Sequence, residues 1–345
     1  MVSVTTLTLL SSLAVLRGID VSGFSNSFVY NGPTSTQLNG IAEWRDLPSG
    51  VTHDDEDRDE AGDLLKYGAS ARRVPVVSVT PEQAVLQGEK KYFQFHSNDE
   101  LRLFQQALDH NHGIFALGLI IRQDEDGDDV MMRKLQLMEV KEYNMNLGVD
   151  FGIFCTAQAV GRATVLSLLN SVPQSSVDGN DAGKEPLIAI CEEYFDYPEA
   201  HYSMEDANEM ARNVLKLMSE LSDKEQDLND KHDVKILYDI NSDREEDLDD
   251  DEETRKDRFE HAYIESLESD SHGYISSAPL EKGILSWKEM NAISWAAFSS
   301  AFIPSEDETM RLHAFDQNRI TDRLKLASYW LSDIVEEVEQ ESKRG

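Results

Sequence analysis

The sequence predicts an α+β fold in which a small β-barrel is followed by a C-terminal helical bundle. Between Val74 and Cys191, short apolar runs alternate with polar turn segments, which is typical of small antiparallel barrels. From Ser203 onward the hydrophobic period changes from 2 to about 3.6 residues, the period of amphipathic helices. A strand–helix–strand unit at residues 92–121 is the most clearly punctuated part of the chain.

That unit contains a helix with recognisable start and stop signals. Ser97 and Glu100 form an S-x-x-E capping box, which satisfies two backbone donors at a helix start. Asn111 to Gly113 supply residues that tolerate positive φ and end a helix. The apolar run Ile114 to Ile121 then predicts a strand.

The remaining strands of the barrel are predicted from apolar runs and from alternation. Alternating residues from Val149 to Ala159 predict a half-buried strand, and Gly161 separates it from a further strand. An Asp126-Gly127 pair between two apolar runs indicates a hairpin turn. The other predicted strands are residues 74–80, 130–140, 163–169 and 187–191, with a polar loop at 171–185.

The helical bundle is predicted for residues 201–222 and 284–342. Ser203 with Asp206, Ser286 with Glu289, and Ser305 with Glu308 are helix start signals. Apolar stripes at helical spacing follow each signal, and Pro304 should end the middle helix. Trp287, Trp295 and Trp330 fall within these helices, so we interpret them as core residues rather than as a ligand cage.

Charge is concentrated in two segments that we expect to be disordered. The formal net charge is -34, and residues 223–270 carry 20 acidic against 7 basic residues. We therefore assign residues 41–73 as an acidic linker and residues 223–283 as an acidic insertion. Such a charge repels nucleic-acid backbones and anionic membrane surfaces, so we expect neither as a partner.

Residues 1–40 read as a targeting presequence. The apolar run Leu7 to Leu16 is too short to span a bilayer but suits the hydrophobic region of a signal peptide. Small residues then precede Phe24 and a hydroxyl-rich, acid-poor stretch, which resembles the two-part presequences of algae with complex plastids. We expect delivery to a plastid, although Arg17 follows the apolar run rather than preceding it; the alternatives are a plain secretory signal or a disordered N-terminus.

Two short motifs resemble nuclease and nucleotide-binding motifs, but neither supports that function. His110-Asn111-His112 spells a nuclease tripeptide, but it stands at a helix end in an acidic protein, so we interpret it as a helix terminus. Gly179 to Lys184 has three residues between its glycines where a phosphate loop has four, and Glu185 replaces the magnesium-binding hydroxyl.

The sequence does not predict a metal site or a reactive thiol either. Residues 239–250 carry oxygens at alternate positions like a calcium loop, but Arg244 replaces the required glycine. Cys155 and Cys191 sit in apolar strands, so we expect buried free thiols. We therefore predict no catalytic residue, no cofactor and no metal, and a protein that binds rather than an enzyme.

Several local phrases, taken in order, resemble the Lon protease N-terminal (substrate-binding) domain. In the barrel they are VPVVSVT from Val74, Val85-Leu86-Gln87-Gly88, Phe93 and Phe95, the LRLFQQAL helix, GIFALGLI, Gly161 to Val165, and Pro186 running on to Asp196. In the bundle they are Ile293-Ser294-Trp295 and Arg323-Leu324, which are similar to stand-alone plastid-type members. The resemblance covers residues 74–335 without the insertion, and no ATPase or protease module accompanies it.

The resemblance implies a PUA-like barrel over residues 74–200 and a non-catalytic role in proteostasis, binding unfolded or partner polypeptides, with a separate protease as a further partner. It implies an apolar groove between barrel and bundle; Tyr92 and Phe93 are candidate peptide-binding residues, with core packing as the alternative. Gln87 replaces the family's proline, and the usual glycine is missing near Arg133 and Lys134. Two alternatives stay open: an adaptor for one folded partner, and an unrecognised hydrolase.

Overall fold

The computed structural model describes residues 40–46, 70–121, 130–146, 152–169, 186–196, 203–232, 254–269, 284–301, 303 and 308–344. Its strands are β1 (Ala71–Val79), β2 (Lys90–Phe95), β3 (Ile114–Ile121), β4 (Val130–Asn146), β5 (Gly152–Leu168) and β6 (Ile188–Tyr194). Its helices are α1 (Gly40–Asp46), α2 (Asn98–His110), α3 (Met204–His232), α4 (Arg255–Ser269), α5 (Trp287–Ala296), α6 (Glu308–Asp316) and α7 (Ile320–Arg344).

Some predictions lie outside the described residues. These are the presequence at 1–39, the Asp126-Gly127 hairpin, the loop at Gly179 to Lys184, the acidic segment at 239–250, Pro304 and the hydroxyl of Ser305. They stay predictions.

The strands form one six-stranded sheet that closes into a barrel. Its order is β2-β5-β4-β3-β1-β6, and a further pairing of β5 with β6 closes the ring. β1 and β3 are parallel, and the other pairs are antiparallel. The predicted α+β class, with a small barrel before a helical bundle, is confirmed.

β5 is one continuous strand, which corrects the prediction of two strands separated at Gly161. Gly161 takes an ordinary register position opposite Leu137 of β4. The adjacent register shift pairs Leu137 with Gly161 and Met138 with Ala159, so Val160 is the extra residue of a bulge in β5 that does not interrupt the strand. This length lets β5 serve two parts of the sheet.

The first half of β5 belongs to a three-stranded extension of the barrel. Residues 153–158 of β5 pair with β2 on one side and with residues 139–145 of β4 on the other. The second half of β5 pairs with β6 and closes the ring. We call the antiparallel unit of β2, β4 residues 140–146 and β5 residues 152–158 the sheet extension.

One hydrophobic core runs through barrel and bundle. Helix α2 buries Leu101, Phe104 and Ala107 against the sheet, largely along the predicted stripe. In the bundle, Trp295 and Trp330 are buried in the same core, as predicted. Because apolar side chains of both parts meet without a gap, the barrel and bundle share one folding unit.

Two segments predicted to be disordered contain helices. In α1, Ile41 and Trp44 are buried on the barrel, and the Arg45 Nη2 atom lies 2.7 Å from Glu193 Oε1. In α4, Phe259 is buried. α1 has only 7 residues, too few to show an apolar period, whereas α4 has 15 residues but carries few apolar ones between its charged ones. In each helix a buried aromatic ring can hold the segment in place.

The predicted helix signals are observed. The Ser97 and Ser286 hydroxyls each accept the backbone N–H three residues later, and Glu100 and Glu289 bond back to the capping residues. α2 ends at His110, and Gly113 has a positive φ of 80°. The His110-Asn111-His112 tripeptide therefore terminates a helix, as interpreted.

Candidate functional site

A hollow of about 500 Å³ opens on the sheet extension. All its lining residues come from β2, β4 and β5; they are Tyr92, Glu142, Tyr143, Asn144, Met145, Phe154 and Thr156. The hollow thus lies on the barrel alone, away from the bundle.

Two aromatic rings form its apolar wall. Tyr92 of β2 and Phe154 of β5 stack with ring centroids 6.2 Å apart and an interplanar angle of 24°. Tyr92 is 57% exposed, which is unusual for an aromatic side chain on a short strand. Tyr92 and Glu142 both lie opposite Thr156 in the register, so all three side chains project from the same face.

Two strand edges border the extension. Within the described residues, β2 pairs with β5 alone, so its outer edge has no strand partner. The pairing of β3 with β4 stops at Glu139. Among the described residues, therefore, residues 141–146 of β4 pair only with β5. The hollow reaches this second edge because Glu142 to Met145 line it. Unpaired edges are templates for another extended chain.

The two candidate peptide-binding residues point in opposite directions. Tyr92 is on the outer face and lines the hollow. Phe93 is 8% exposed and packs edge-on against Phe115 inside the barrel, with ring centroids 5.3 Å apart. Neighbouring residues of a strand face opposite sides, so only Tyr92 can contact a ligand on this surface.

Sequence reasoning did not single out Phe154 or Glu142. Phe154 stands between Ile153 and Cys155, which are buried, so alternation places it on the outer face of β5. A phenylalanine on that face was the available signal. Glu142 gave none, because an acidic residue on an exposed strand is commonplace in this chain.

The expected groove between barrel and bundle is filled by a buried ion cluster. Asp196, which follows β6, pairs with Arg162 of β5 and, at 3.0 Å, with Arg323 of α7. Arg162 also donates to the backbone oxygens of Phe315 and Gln317, at 2.6 and 2.8 Å. These bonds tie the barrel directly to the bundle and leave no groove for a ligand at this place.

Arg323 is fully buried, and the remaining residues of the cluster accept hydrogen bonds from its guanidinium group. Its Nε atom donates to the Ser294 hydroxyl at 3.1 Å, and Nη2 donates to Asn291 Oδ1 at 2.6 Å. Its guanidinium carbon lies 4.0 Å from the Trp295 ring centroid, within cation–π range. Several phrases behind the family resemblance thus meet here: Gly161-Arg162, Asp196, Ser294-Trp295 and Arg323.

The ionisation of the cluster follows from its pairing. Burial by itself would raise the pKa of Asp196, but the guanidiniums of Arg162 and Arg323 outweigh it and hold the pKa below its usual value. Burial lowers the pKa of Arg323 to about 10, against the opposing charge of Asp196. At neutral pH Asp196 and Arg323 are therefore charged.

A second ion pair joins the turn before β2 to α6. Arg311 contacts both carboxylate oxygens of Glu89 at 2.8 Å. Burial opposes ionisation of Glu89, but Arg311 and the backbone donors of Leu86 and Ser300 hold its pKa below the usual value. A bidentate pair of this kind fixes orientation as well as distance.

The turn that departs from the family phrase packs on α4. Gln87 is buried and donates from Nε2 to the Ser269 hydroxyl at 3.0 Å. Gly88 has a φ of 94°, and a Cβ atom there would lie 2.5 Å from the Ser266 Cα atom. The glutamine thus takes a specific contact where a proline was expected, and the glycine is required by both conformation and space.

Other chemistry-bearing groups are buried or dispersed. Burial raises the pKa of both Cys155 and Cys191 to about 12, and both thiols are free. In the described part of the chain, no group of three or more His, Cys, Asp or Glu side chains could hold a metal ion. Nor does any described helix combine the length and apolar content needed to cross a bilayer.

No protein-family model and no curated protein matches the sequence. Among solved structures, the chain is similar to a Lon N-terminal domain protein from Xanthomonas campestris, with 10% identity and a TM-score of 0.40 over 75% of this chain and 98% of that one. It is also similar to the N-terminal domain of Mycobacterium avium complex Lon protease, with 12% identity and a TM-score of 0.38 over 76% and 99% of the two chains.

Proposed function

We propose that this chain is a non-catalytic module that binds extended segments of unfolded polypeptides and acts in proteostasis. The observation that carries the proposal is the exposed Tyr92 ring, stacked on Phe154, in a hollow that reaches a strand edge with no further strand partner among the described residues. The resemblance of the sequence phrases to Lon substrate-binding domains supports the class of ligand and the cellular role.

The binding mode follows from the strand edge. An extended segment would add to residues 141–146 of β4 and form backbone hydrogen bonds that do not depend on its sequence. Alternate side chains of that segment would face the hollow and cover the rings of Tyr92 and Phe154. Each 100 Å² of apolar surface removed from water contributes about 2.5 kcal/mol before ordering costs.

The location differs from the groove that the resemblance implied. The ion pairs of Asp196 and of Glu89 occupy the boundary between barrel and bundle, whereas the sheet extension presents the exposed Tyr92 ring and, among the described residues, strand edges without a further strand partner. We therefore place the polypeptide on the extension and keep Tyr92 alone of the two candidate residues.

Fluorescence anisotropy with a labelled, permanently unfolded protein and with short extended peptides tests the proposal. We expect Tyr92→Ala to weaken binding about tenfold, because ring stacking and apolar burial are lost together. The matched control is Tyr329→Ala on α7, where the ring is 69% exposed and does not line the hollow. Equal affinities for the wild type and the Tyr92 variant would remove the hollow from the binding surface.

The binding mode has its own test. Peptides N-methylated at alternate residues cannot donate along one edge, so they should bind more weakly than their unmethylated forms. Insensitivity to methylation would refute strand addition.

The two rival functions give different results in the same preparation. An adaptor would bind one folded partner at fixed stoichiometry and ignore the unfolded protein. A hydrolase would cleave the labelled substrate without ATP, and the cleavage would track the protein through purification.

We further propose that the protein acts in a plastid, on the strength of the pattern in residues 1–40. A fusion of these residues to a fluorescent protein should enter the plastid of an alga with complex plastids. Replacing Phe24 with alanine should retain the fusion outside the plastid stroma, and an unaffected distribution would contradict the two-part interpretation.

A further inference from the structure

We propose that the hollow binds an arginine or lysine side chain of the extended segment. This inference rests on the proposed function and specifies the class of segment that the surface prefers. Its basis is a carboxylate and two stacked rings on one face of the sheet extension.

The carboxylate is that of Glu142. Glu142 is exposed, lines the hollow and lies on the same face as Tyr92, because both are opposite Thr156 in the register. Across the described ranges, no side chain or backbone group bonds to it. Its charge is therefore available to a ligand.

The rings of Tyr92 and Phe154 complement a cationic side chain in two ways. Their apolar faces can cover the methylene stem of lysine or arginine, which is otherwise exposed to water. A guanidinium or ammonium group within about 6 Å of a ring centroid also gains a cation–π attraction. Neutral apolar side chains would gain the first contribution only.

The three lysines of the extension already have partners. Lys90 pairs with Glu265 at 3.0 Å, Lys141 pairs with Glu139 at 2.8 Å, and Lys91 donates to the Gln83 backbone oxygen at 2.8 Å. The unpaired charge that lines the hollow is therefore negative. The net charge of -34 adds a long-range attraction for basic segments and repels acidic ones.

The experiment compares peptides that differ only at one central residue. Short extended peptides carrying arginine, lysine, citrulline or leucine are titrated with the full chain, with anisotropy as the readout. Citrulline has the shape of arginine without its charge. We expect arginine and lysine peptides to bind about tenfold tighter than the citrulline peptide, from one ion pair and one cation–π contact.

Glu142→Gln should reduce that preference to about threefold, the part that the cation–π contact supplies, and leave the leucine peptide unaffected, because only the ion pair is removed. Glu260→Gln is the matched control, since Glu260 is exposed on α4 away from the hollow, and it should keep the full preference. Thermal melting should be the same for both variants, because Glu142 is exposed and its carboxylate bonds to no group among the described residues. The preference should also shrink in about 0.5 M salt, because exposed charges are screened.

Equal binding of arginine and citrulline peptides to the wild type, or a preference of the same size in the wild type and in Glu142→Gln, would overturn the inference. In either case, leucine-peptide binding that is lost in Tyr92→Ala would leave the proposed function intact. If no peptide binds at all, the proposed function fails together with the inference.

Discussion

Replacing Asp196 with asparagine should weaken the interaction between the barrel and the bundle and so lower the free energy of unfolding. Asp196 is 10% exposed at its side chain, and it is the carboxylate shared by Arg162 and Arg323. The substitution keeps size and one carbonyl acceptor but removes the charge. Two guanidiniums then remain buried without a counter-charge from this position.

The magnitude follows from what the arginines retain. Removing one partner of a buried ion pair costs about 3–5 kcal/mol. Arg162 keeps the backbone oxygens of Phe315 and Gln317, and Arg323 keeps Ser294 and Asn291. The cost should therefore lie at the lower end, at about 3 kcal/mol of unfolding free energy.

Urea unfolding followed by tryptophan fluorescence measures this cost, because Trp295 lies against Arg323. With a slope of about 3 kcal/mol per M, the midpoint should fall by about 1 M urea. The matched control is Asp322→Asn in α7, the helix that also contains Arg323. There the Asp322 Oδ1 and Lys325 Nζ atoms are 3.9 Å apart near the surface. That change should cost less than about 0.5 kcal/mol.

The contribution of Asp196 to stability should fall as the pH is lowered. The pKa of Asp196 is held below its usual value in the folded state, so its stabilising charge is present above the unfolded pKa of about 3.9. As pH falls below that value toward the folded pKa, the wild type loses this contribution and the difference from Asp196→Asn shrinks. If Asp196→Asn costs no more than Asp322→Asn at neutral pH, the cluster does not hold the two parts together.

Three further predictions concern packing. Gly88→Ala should destabilise the fold by at least about 2 kcal/mol, because φ is positive and backbone atoms occupy the Cβ position; Gly161→Ala should cost less, since a Cβ there meets a side-chain oxygen at 3.2 Å, and equal costs in urea unfolding would contradict this. Phe93→Ala should cost about 3–5 kcal/mol while Tyr92→Ala stays within about 0.5 kcal/mol, and a large loss in both would show that Tyr92 is also part of the core. Both thiols, with pKa raised to about 12, should resist alkylation at pH 8 until urea unfolds the chain; rapid labelling of the native protein would refute their burial.

The barrel and its main helix could be predicted because their signals are local. The capping box of Ser97 and Glu100 and the positive φ at Gly113 need only neighbouring residues, and alternation along β5 needs only one exposed and one buried face. Helices α1 and α4 could not be predicted. What holds α1 is the burial of Trp44 and the pairing of Arg45 with Glu193, a residue far along the chain.

Only part of the candidate site could be predicted from such local signals. Tyr92 could be chosen from a strand rich in aromatic residues, but alternation alone did not say whether it or Phe93 faced inward. Phe154 and Glu142 join Tyr92 only through the pairing of β2, β5 and β4. Strand pairing across long loops is decided by the whole barrel, and no local pattern encodes it.

By itself, the amino-acid sequence determined the kinds of elements, their order and the acidic character of the chain, because periodicity, capping and charge are properties of neighbouring residues. Tertiary structure alone decided that the boundary between barrel and bundle is closed by Asp196 and its two arginines, and that the exposed surface lies on the sheet extension. The physical reason is that burial and ion pairing join residues distant in sequence, and only the closed barrel brings them within bonding distance.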